Sequence, residues 1–175
     1  MPAEFAVSAE TFFPIKGHVS MVYEYTTSDQ DKSEIVEVVF DAVNHNSGEV
    51  AVSARVSRPS DSTSVPTSFL AKRTALGVFS YDFIRRSNRM EFPSDLQPGA
   101  EWNSNVGIER IETLRGWVVV PAGKFTSCLK VVTRIGGGDL GTAVRYYAPG
   151  AGLVFEEIRA EDVQSQLRLV SITRN

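Results

Sequence analysis

Few residues in this chain have the types and spacings that chemistry needs. His18 and His45 are its only histidines and Cys128 its only cysteine. Neither histidine stands at a spacing that a zinc site uses, and a single cysteine excludes an internal disulfide. His45 lies among turn residues and reads as solvated, whereas His18 reads as partly buried where a strand begins. Cys128 has no CxxC partner. Lys130 would share its strand face and could lower the thiol pKa, but a small buried thiol in an apolar strand is the preferred reading. The run Gly136-Gly137-Gly138-Asp139-Leu140-Gly141 has the letters of a dinucleotide fingerprint. That mechanism needs a helix to follow, and Thr142–Tyr147 reads as a strand, so the run is taken as a hairpin loop.

Carboxylates come in two adjacent pairs, Glu156-Glu157 and Glu161-Asp162. Neighbours on a strand point to opposite faces, so neither pair forms an acid–base dyad, and both read as a solvated edge. No nucleophile elbow and no zinc-protease motif is present. No catalytic, cofactor-binding or metal residue is therefore assigned, and the protein reads as a non-enzyme. A dispersed active site would reveal itself as a pocket of two or more convergent carboxylates with strongly shifted pKa values.

Two further sets are candidates for binding. Lys72, Arg73, Arg85, Arg86 and Arg89 form a basic cluster beside aromatic residues. If their strands pair, the charges make a patch for an anionic partner, though charge on an edge strand also discourages aggregation. The aromatic residues Tyr23, Tyr25, Phe40, Phe79, Trp117, Phe125 and Tyr146 are candidate linings for an apolar ligand. With 18 basic and 21 acidic residues the formal charge is −3, which gives no reason to expect a nucleic-acid partner.

The elements that must position these residues are strands. There are 22 valines, 8 isoleucines and 11 threonines against 9 leucines, and β-branched residues pack well on pleated sheets. Val19, Met21, Tyr23 and Tyr25 alternate with mostly polar neighbours, as do Val50, Val52, Ala54 and Val56. Ile35–Val43 is apolar on both faces apart from Glu37 and Asp41, and reads as a more central strand. Further strands are expected at Thr67–Ala71, Leu76–Ile84, Ile108–Val120, Phe125–Ile135, Thr142–Tyr147, Leu153–Ala160 and Gln164–Thr173, with Ala160–Leu169 open to a helical reading. Proline and glycine turns separate them. The expectation is an all-β fold: a single antiparallel meander of about ten strands forming a half-barrel or flattened barrel, with little helix. Residues 1–175 read as one domain, with residues 1–12 a flexible N-terminus and residues 58–66 a surface loop. Phe13-Pro14 and Phe92-Pro93 form a short internal echo, each preceding a strand run. No apolar run approaches the roughly 18 residues of a membrane helix.

Four stretches together resemble a known pattern. They are Phe12-Phe13-Pro14-Ile15-Lys16-Gly17 with Val22-Tyr23-Glu24-Tyr25, then Phe92-Pro93 with Pro98-Gly99-Ala100-Glu101-Trp102. Val120-Pro121-Ala122-Gly123-Lys124-Phe125 running on through Cys128-Leu129-Lys130-Val131, and Tyr146-Tyr147-Ala148-Pro149-Gly150-Ala151-Gly152-Leu153-Val154, complete the set. The chain resembles a family of bacterial cell-envelope proteins and lipoproteins of unknown function. Its signature reads FPLxxGxxWxY, FPxxLxxGxxW, VPAGTFxxCLKV and YYAxGVGLVK. Ser20 or Met21 stands where the family has Trp, Ala151 replaces a valine and Phe155 a lysine. The resemblance implies a half-barrel like those of periplasmic lipoprotein carriers, and it brings no catalytic residues.

The function expected is a non-catalytic envelope or secreted β-domain that binds an apolar ligand or a protein partner. The alternative is an assembly module acting through exposed strand edges. No cofactor and no nucleic acid is expected, and the protein should be a monomer or weak homo-oligomer. Met1–Phe5 has neither a basic nor an apolar leader region, so periplasm or envelope, with a leader absent from this chain, stands beside a cytoplasmic alternative.

Overall fold

The computed structural model describes residues 7–136 and 140–175. One helical turn, α1 (Ala9–Phe12), precedes twelve strands. They are β1 (Val19–Thr27), β2 (Glu34–Asn46), β3 (Glu49–Ser57), β4 (Thr67–Arg73), β5 (Gly77–Asp82) and β6 (Ser87–Pro93). The second half holds β7 (Glu101–Asn103), β8 (Gly107–Val120), β9 (Gly123–Ile135), β10 (Gly141–Ala148), β11 (Gly152–Ala160) and β12 (Gln164–Arg174). All lie in one antiparallel sheet, ordered β6-β5-β4-β3-β2-β1-β12-β11-β10-β9-β8-β7. Each strand thus pairs with its neighbours in sequence, β1 pairs with β12, and β6 and β7 are left as the two edges. The fold is the expected antiparallel meander, open rather than closed.

Chain connectivity forces the sheet to curl. Flat, its twelve strands would hold β6 and β7 about 50 Å apart at the usual strand spacing. Only Ser94–Ala100 joins them, and that link reaches at most about 28 Å. The edges must therefore turn toward each other around a common interior.

Two strands escaped the sequence reading, β6 and β7. The inward positions of β6 carry Arg89 and Glu91, so its alternation is hidden from a hydrophobic count, and β7 has only three residues. The Ala160–Leu169 stretch is strand rather than helix. Local chemistry sets the turns. Ser47-Gly48 closes the β2–β3 hairpin with Gly48 at φ 75°, a conformation open to glycine at no steric cost. Gly77 begins β5 where a Cβ would stand 2.5 Å from the Phe92 carbonyl oxygen, so only glycine lets β5 and β6 come this close.

The interior is built from alternate residues of the strands. Met21, Tyr23, Val36, Val38, Leu167 and Leu169 are fully buried near the β1–β12 seam. β2 lies inside the sheet between β3 and β1, and its outward Glu37 and Asp41, the two polar exceptions in its sequence, are exposed. α1 lies within the stretch expected to be flexible. Instead it buries Phe12 and Phe13 against the β10–β11 turn, where Gly150 donates its N–H to the Thr11 carbonyl at 2.8 Å. Residues 1–6 lie outside the described residues, as do residues 137–139 of the glycine-rich run. β10 follows that run directly, so no helix is there to receive a pyrophosphate.

The sheet splits between β4 and β5. Their ladder holds only two pairs, Lys72↔Phe79 and Arg73↔Val78, while β3–β4 has seven. Beyond that point the β5–β6 hairpin leaves the barrel wall and folds across the inner face. Phe83 packs on Tyr23 at 5.6 Å between ring centroids, and Phe92 meets Tyr147 edge-on at 4.9 Å. This displacement builds the site described next.

Candidate functional site

The hairpin brings charged side chains into the interior. Arg89 of β6 makes two parallel hydrogen bonds to Glu156 of β11, at 2.7 and 3.0 Å. Its Nε donates to Glu91 at 3.1 Å, and it pairs with Asp82 of β5, also at 3.1 Å. Arg145 of β10 donates to Glu109 of β8 at 2.6 Å and to the Glu91 carbonyl at 3.1 Å. The Tyr147 hydroxyl donates to the Glu91 carboxylate. Register explains the convergence: Arg145 and Glu156 are directly paired across β10–β11, and Glu109 and Arg145 both lie opposite inward residues of β9. Five strands thus meet in one ionic network across the gap between the sheet edges.

Asp82 also shapes its own turn. One carboxylate oxygen accepts the backbone N–H groups of Ile84 and Arg85 at 2.9 and 2.8 Å, and the other accepts from Arg85 and Arg89. Burial pushes its carboxyl pKa up, but Arg89 and the Arg85 contacts outweigh this and bring it down to about 2. Glu156 moves the other way: its burial raises the pKa against the pull of Arg89. Burial works against charge on Arg89, yet Glu156, Glu91 and Asp82 hold the guanidinium protonated well beyond its ordinary range. Burial likewise raises the Tyr147 and Tyr23 hydroxyls. Charges this deep are tolerated because each has an opposite partner; Arg89, Asp82 and Glu156 also have hydrogen bonds or ion pairs at most of their polar atoms, whereas Arg145 bonds through Nη2 alone.

Above the network opens a cleft of about 610 Å³. Arg145, Glu109, Thr133 and Ser80 form its floor, Phe69, Leu70, Phe79 and Met90 one wall, and the loop Asn103–Val106 the opposite rim. The apolar interior beside it, around Met21, Tyr23, Phe40 and Phe83, retains only about 30 Å³, the space of a single water.

The candidate residues from the sequence scatter. Tyr23 and Phe40 are core residues beside the small void, and the Tyr23 hydroxyl donates to the Leu153 carbonyl at 2.8 Å. Tyr25 reaches Ser165 and lies under Arg58. Phe79 alone of the seven lines the cleft. Trp117 stands 64% exposed near the β8–β9 turn with Lys124 over its ring, whereas Phe125 pairs with Val118 and packs against the core. Tyr146 packs edge-on against Phe155 with Lys130 over its ring. The basic cluster divides as well. Arg89 is consumed by the network, Arg85 by Asp82 and Arg73 by Glu10, while Lys72 lines the cleft and Arg86 faces solvent at φ 58°.

Two readings are corrected. Glu156, taken as a solvated edge residue, is buried at the centre of the network. His18 is exposed, at φ 58°, rather than partly buried. Cys128 is the small buried thiol of the preferred reading: burial pushes its pKa up to about 11, and Lys130 pairs with Glu112 instead of lowering it. The network itself was missed because Arg145, Glu109 and Glu91 match no motif. The available signal was a charged residue at an inward position of an otherwise apolar strand, as in Ala143-x-Arg145-x-Tyr147.

No protein-family profile matches the chain, and no curated protein sequence matches it. Solved structures do. A candidate lipoprotein from Parabacteroides distasonis is 16% identical with a TM-score of 0.64, covering 93% of this chain and 98% of its own. A candidate exported protein with a YmcC-like fold from Bacteroides fragilis is 17% identical with a TM-score of 0.61, covering 94% and 99%. At such identity the likeness is one of fold: the chain shares the open antiparallel half-barrel of these two proteins.

Proposed function

We propose that residues 1–175 form a non-catalytic β-domain of the bacterial envelope or exported space that binds its ligand in the cleft beneath the β5–β6 hairpin. One observation carries this reading: about 610 Å³ is open there, against about 30 Å³ in the aromatic interior. The void among Met21, Tyr23, Phe40 and Phe83 is too small for an acyl chain. A ligand with an apolar side, resting on Leu70, Phe79 and Met90, and a polar side, meeting the floor, does fit. The two exported or lipoprotein-class structures of like fold support the location.

The cleft meets the criterion set for an enzyme in one respect, since Asp82 and Glu156 converge with opposite pKa shifts. However, both oxygens of each carboxylate already accept hydrogen bonds or ion pairs from arginine or backbone donors. Structural ion networks perturb pKa values too, and these groups are held rather than poised.

The test is binding of the neutral apolar dye Nile red, alongside native mass spectrometry after gentle purification. Leu70→Glu alters a side chain that is 55% exposed and leaves the core intact. Binding that this substitution abolishes supports the cleft. No dye enhancement and no co-purified small molecule would sink it.

A second reading has its own observation. From Thr67 to Ala71, β4 has no ladder partner on its β5 side among the described residues, and no charge or proline interrupts this stretch. Such an edge is open to strand addition by a partner. Light scattering on a purified sample, with a pull-down, separates the two: a clean monomer without partners removes the edge reading.

A further inference from the structure

We infer that the cleft takes a neutral, hydroxyl-rich ligand of the saccharide class. This rests on the ligand-binding reading above and names what that site would recognise. The first reason is the state of the floor. Ser80, Glu109, Thr133 and Arg145 are all buried residues that line the cleft, and among the described residues Ser80 Oγ, Thr133 Oγ1, Glu109 Oε1 and Arg145 Nη1 make no hydrogen bond to protein, while Arg145 Nε is buried without a partner. Arg145 spends Nη2 on Glu109 Oε2 and the Glu91 carbonyl, leaving Nη1 as a free donor. Glu109 keeps Oε1 as a free acceptor, and the two hydroxyls can act as either. A ligand seated on this floor strips water from these groups, so it must replace those hydrogen bonds by both donating and accepting several times. Hydroxyl groups do both.

Charge supplies the second reason. The cleft is lined by Lys72, Arg85, Arg89 and Arg145 against Asp82, Glu109 and Glu156, and Glu91, which pairs with Arg89 from outside the lining, brings the set to balance. An anion seated near Arg145 would lie against Glu109 and Glu156, and a cation near Glu109 would lie against Arg145. Either meets like charge in a desolvated site, whereas a neutral ligand meets none.

The walls add a third. Asn88, Asn103 and Asn105 stand at the rim, and amide side chains offer donor and acceptor side by side. Facing them are the apolar groups of Phe69, Leu70, Phe79 and Met90. A sugar ring has this same division, with hydroxyl edges and C–H faces. A fatty acyl chain would cover the apolar wall but leave the floor and the amides without partners.

The experiment uses the full chain on an array of neutral, sulfated and sialylated glycans, followed by calorimetry with the neutral glycans retained. Laurate and an unstructured Ser/Thr-rich peptide are titrated in parallel. Two variants read the site without touching the ionic network: Thr133→Val, which removes one floor hydroxyl at nearly constant shape, and Asn105→Ala on the exposed rim. Their folding is checked by circular dichroism. A neutral glycan should bind, and each variant should weaken it about tenfold, the scale of one hydrogen bond lost from a desolvated site. Amides of residues 103–106 should gain exchange protection. Retention of sulfated or sialylated glycans alone overturns the saccharide assignment. So does cleft binding of laurate or the peptide with no neutral glycan retained, and in both cases the binding function survives. If no probe binds in the cleft, both the assignment and the binding function fall.

Discussion

The inner face of this sheet has two ends that solve burial in opposite ways. Around Tyr23, Phe40, Phe83 and Phe12 it is aromatic and nearly full. At Arg89, Glu156, Arg145 and Glu109 it is ionic and opens onto a cleft. Apolar packing stabilises in proportion to area and tolerates many arrangements, whereas a charge network is satisfied in one register only. The aromatic end therefore carries the stability, and the ionic end fixes where the β5–β6 hairpin lands.

The comparison breaks most directly at the aromatic end. Phe92→Ala, at a fully buried residue edge-on to Tyr147, should cost about 4 kcal/mol in urea unfolding. A loss below about 1 kcal/mol would mean that this end is not the stabilising one. At the ionic end, Arg145→Met leaves the Glu109 carboxylate buried without its guanidinium and should cost about 3 kcal/mol. Adding Glu109→Leu should return the protein to within about 1 kcal/mol of the parent, because both charges then leave together. A double variant as unstable as the single one would make the pair a net contributor.

Acid sharpens the contrast further. Asp82 titrates at about 2 in the folded chain, against 3.8 when unperturbed. Between those values the unfolded chain takes up a proton that the folded chain refuses. The folded state thus loses about 2 kcal/mol as pH falls from about 4 to about 2, and keeps it above that window. Unfolding curves of the parent and Asp82→Asn should converge across this interval. An unchanged gap would remove Asp82 from the network's role. The smallest effect belongs outside both ends: Trp117→Ala, at an exposed ring under Lys124, should change stability by about 0.5 kcal/mol or less.

How much of this was legible follows from the physics of each element. Ten strands announced themselves through apolar alternation, as in Val50-x-Val52-x-Ala54-x-Val56. β6 did not, because Arg89 and Glu91 occupy the positions where an apolar residue marks an inward face. Glu156 was misread for the same reason: one charge beside another looks solvated until its partner, 67 positions away, is known. Of the aromatic residues, sequence could say that they would pack, not which would line open space. Phe79 and Phe40 look alike in the chain, yet one faces the cleft and the other the core.

The sequence by itself determined the class of fold. Period-two alternation, β-branched residues and the Gly and Pro turns act within a few residues of one another, so they can be read locally. Tertiary structure alone decided the site. The seven-residue link from β6 to β7 curls the sheet, and the two-pair ladder between β4 and β5 releases the hairpin. Only then does the hairpin's Arg89 come within hydrogen-bonding reach of Glu156, from strands that no local pattern connects.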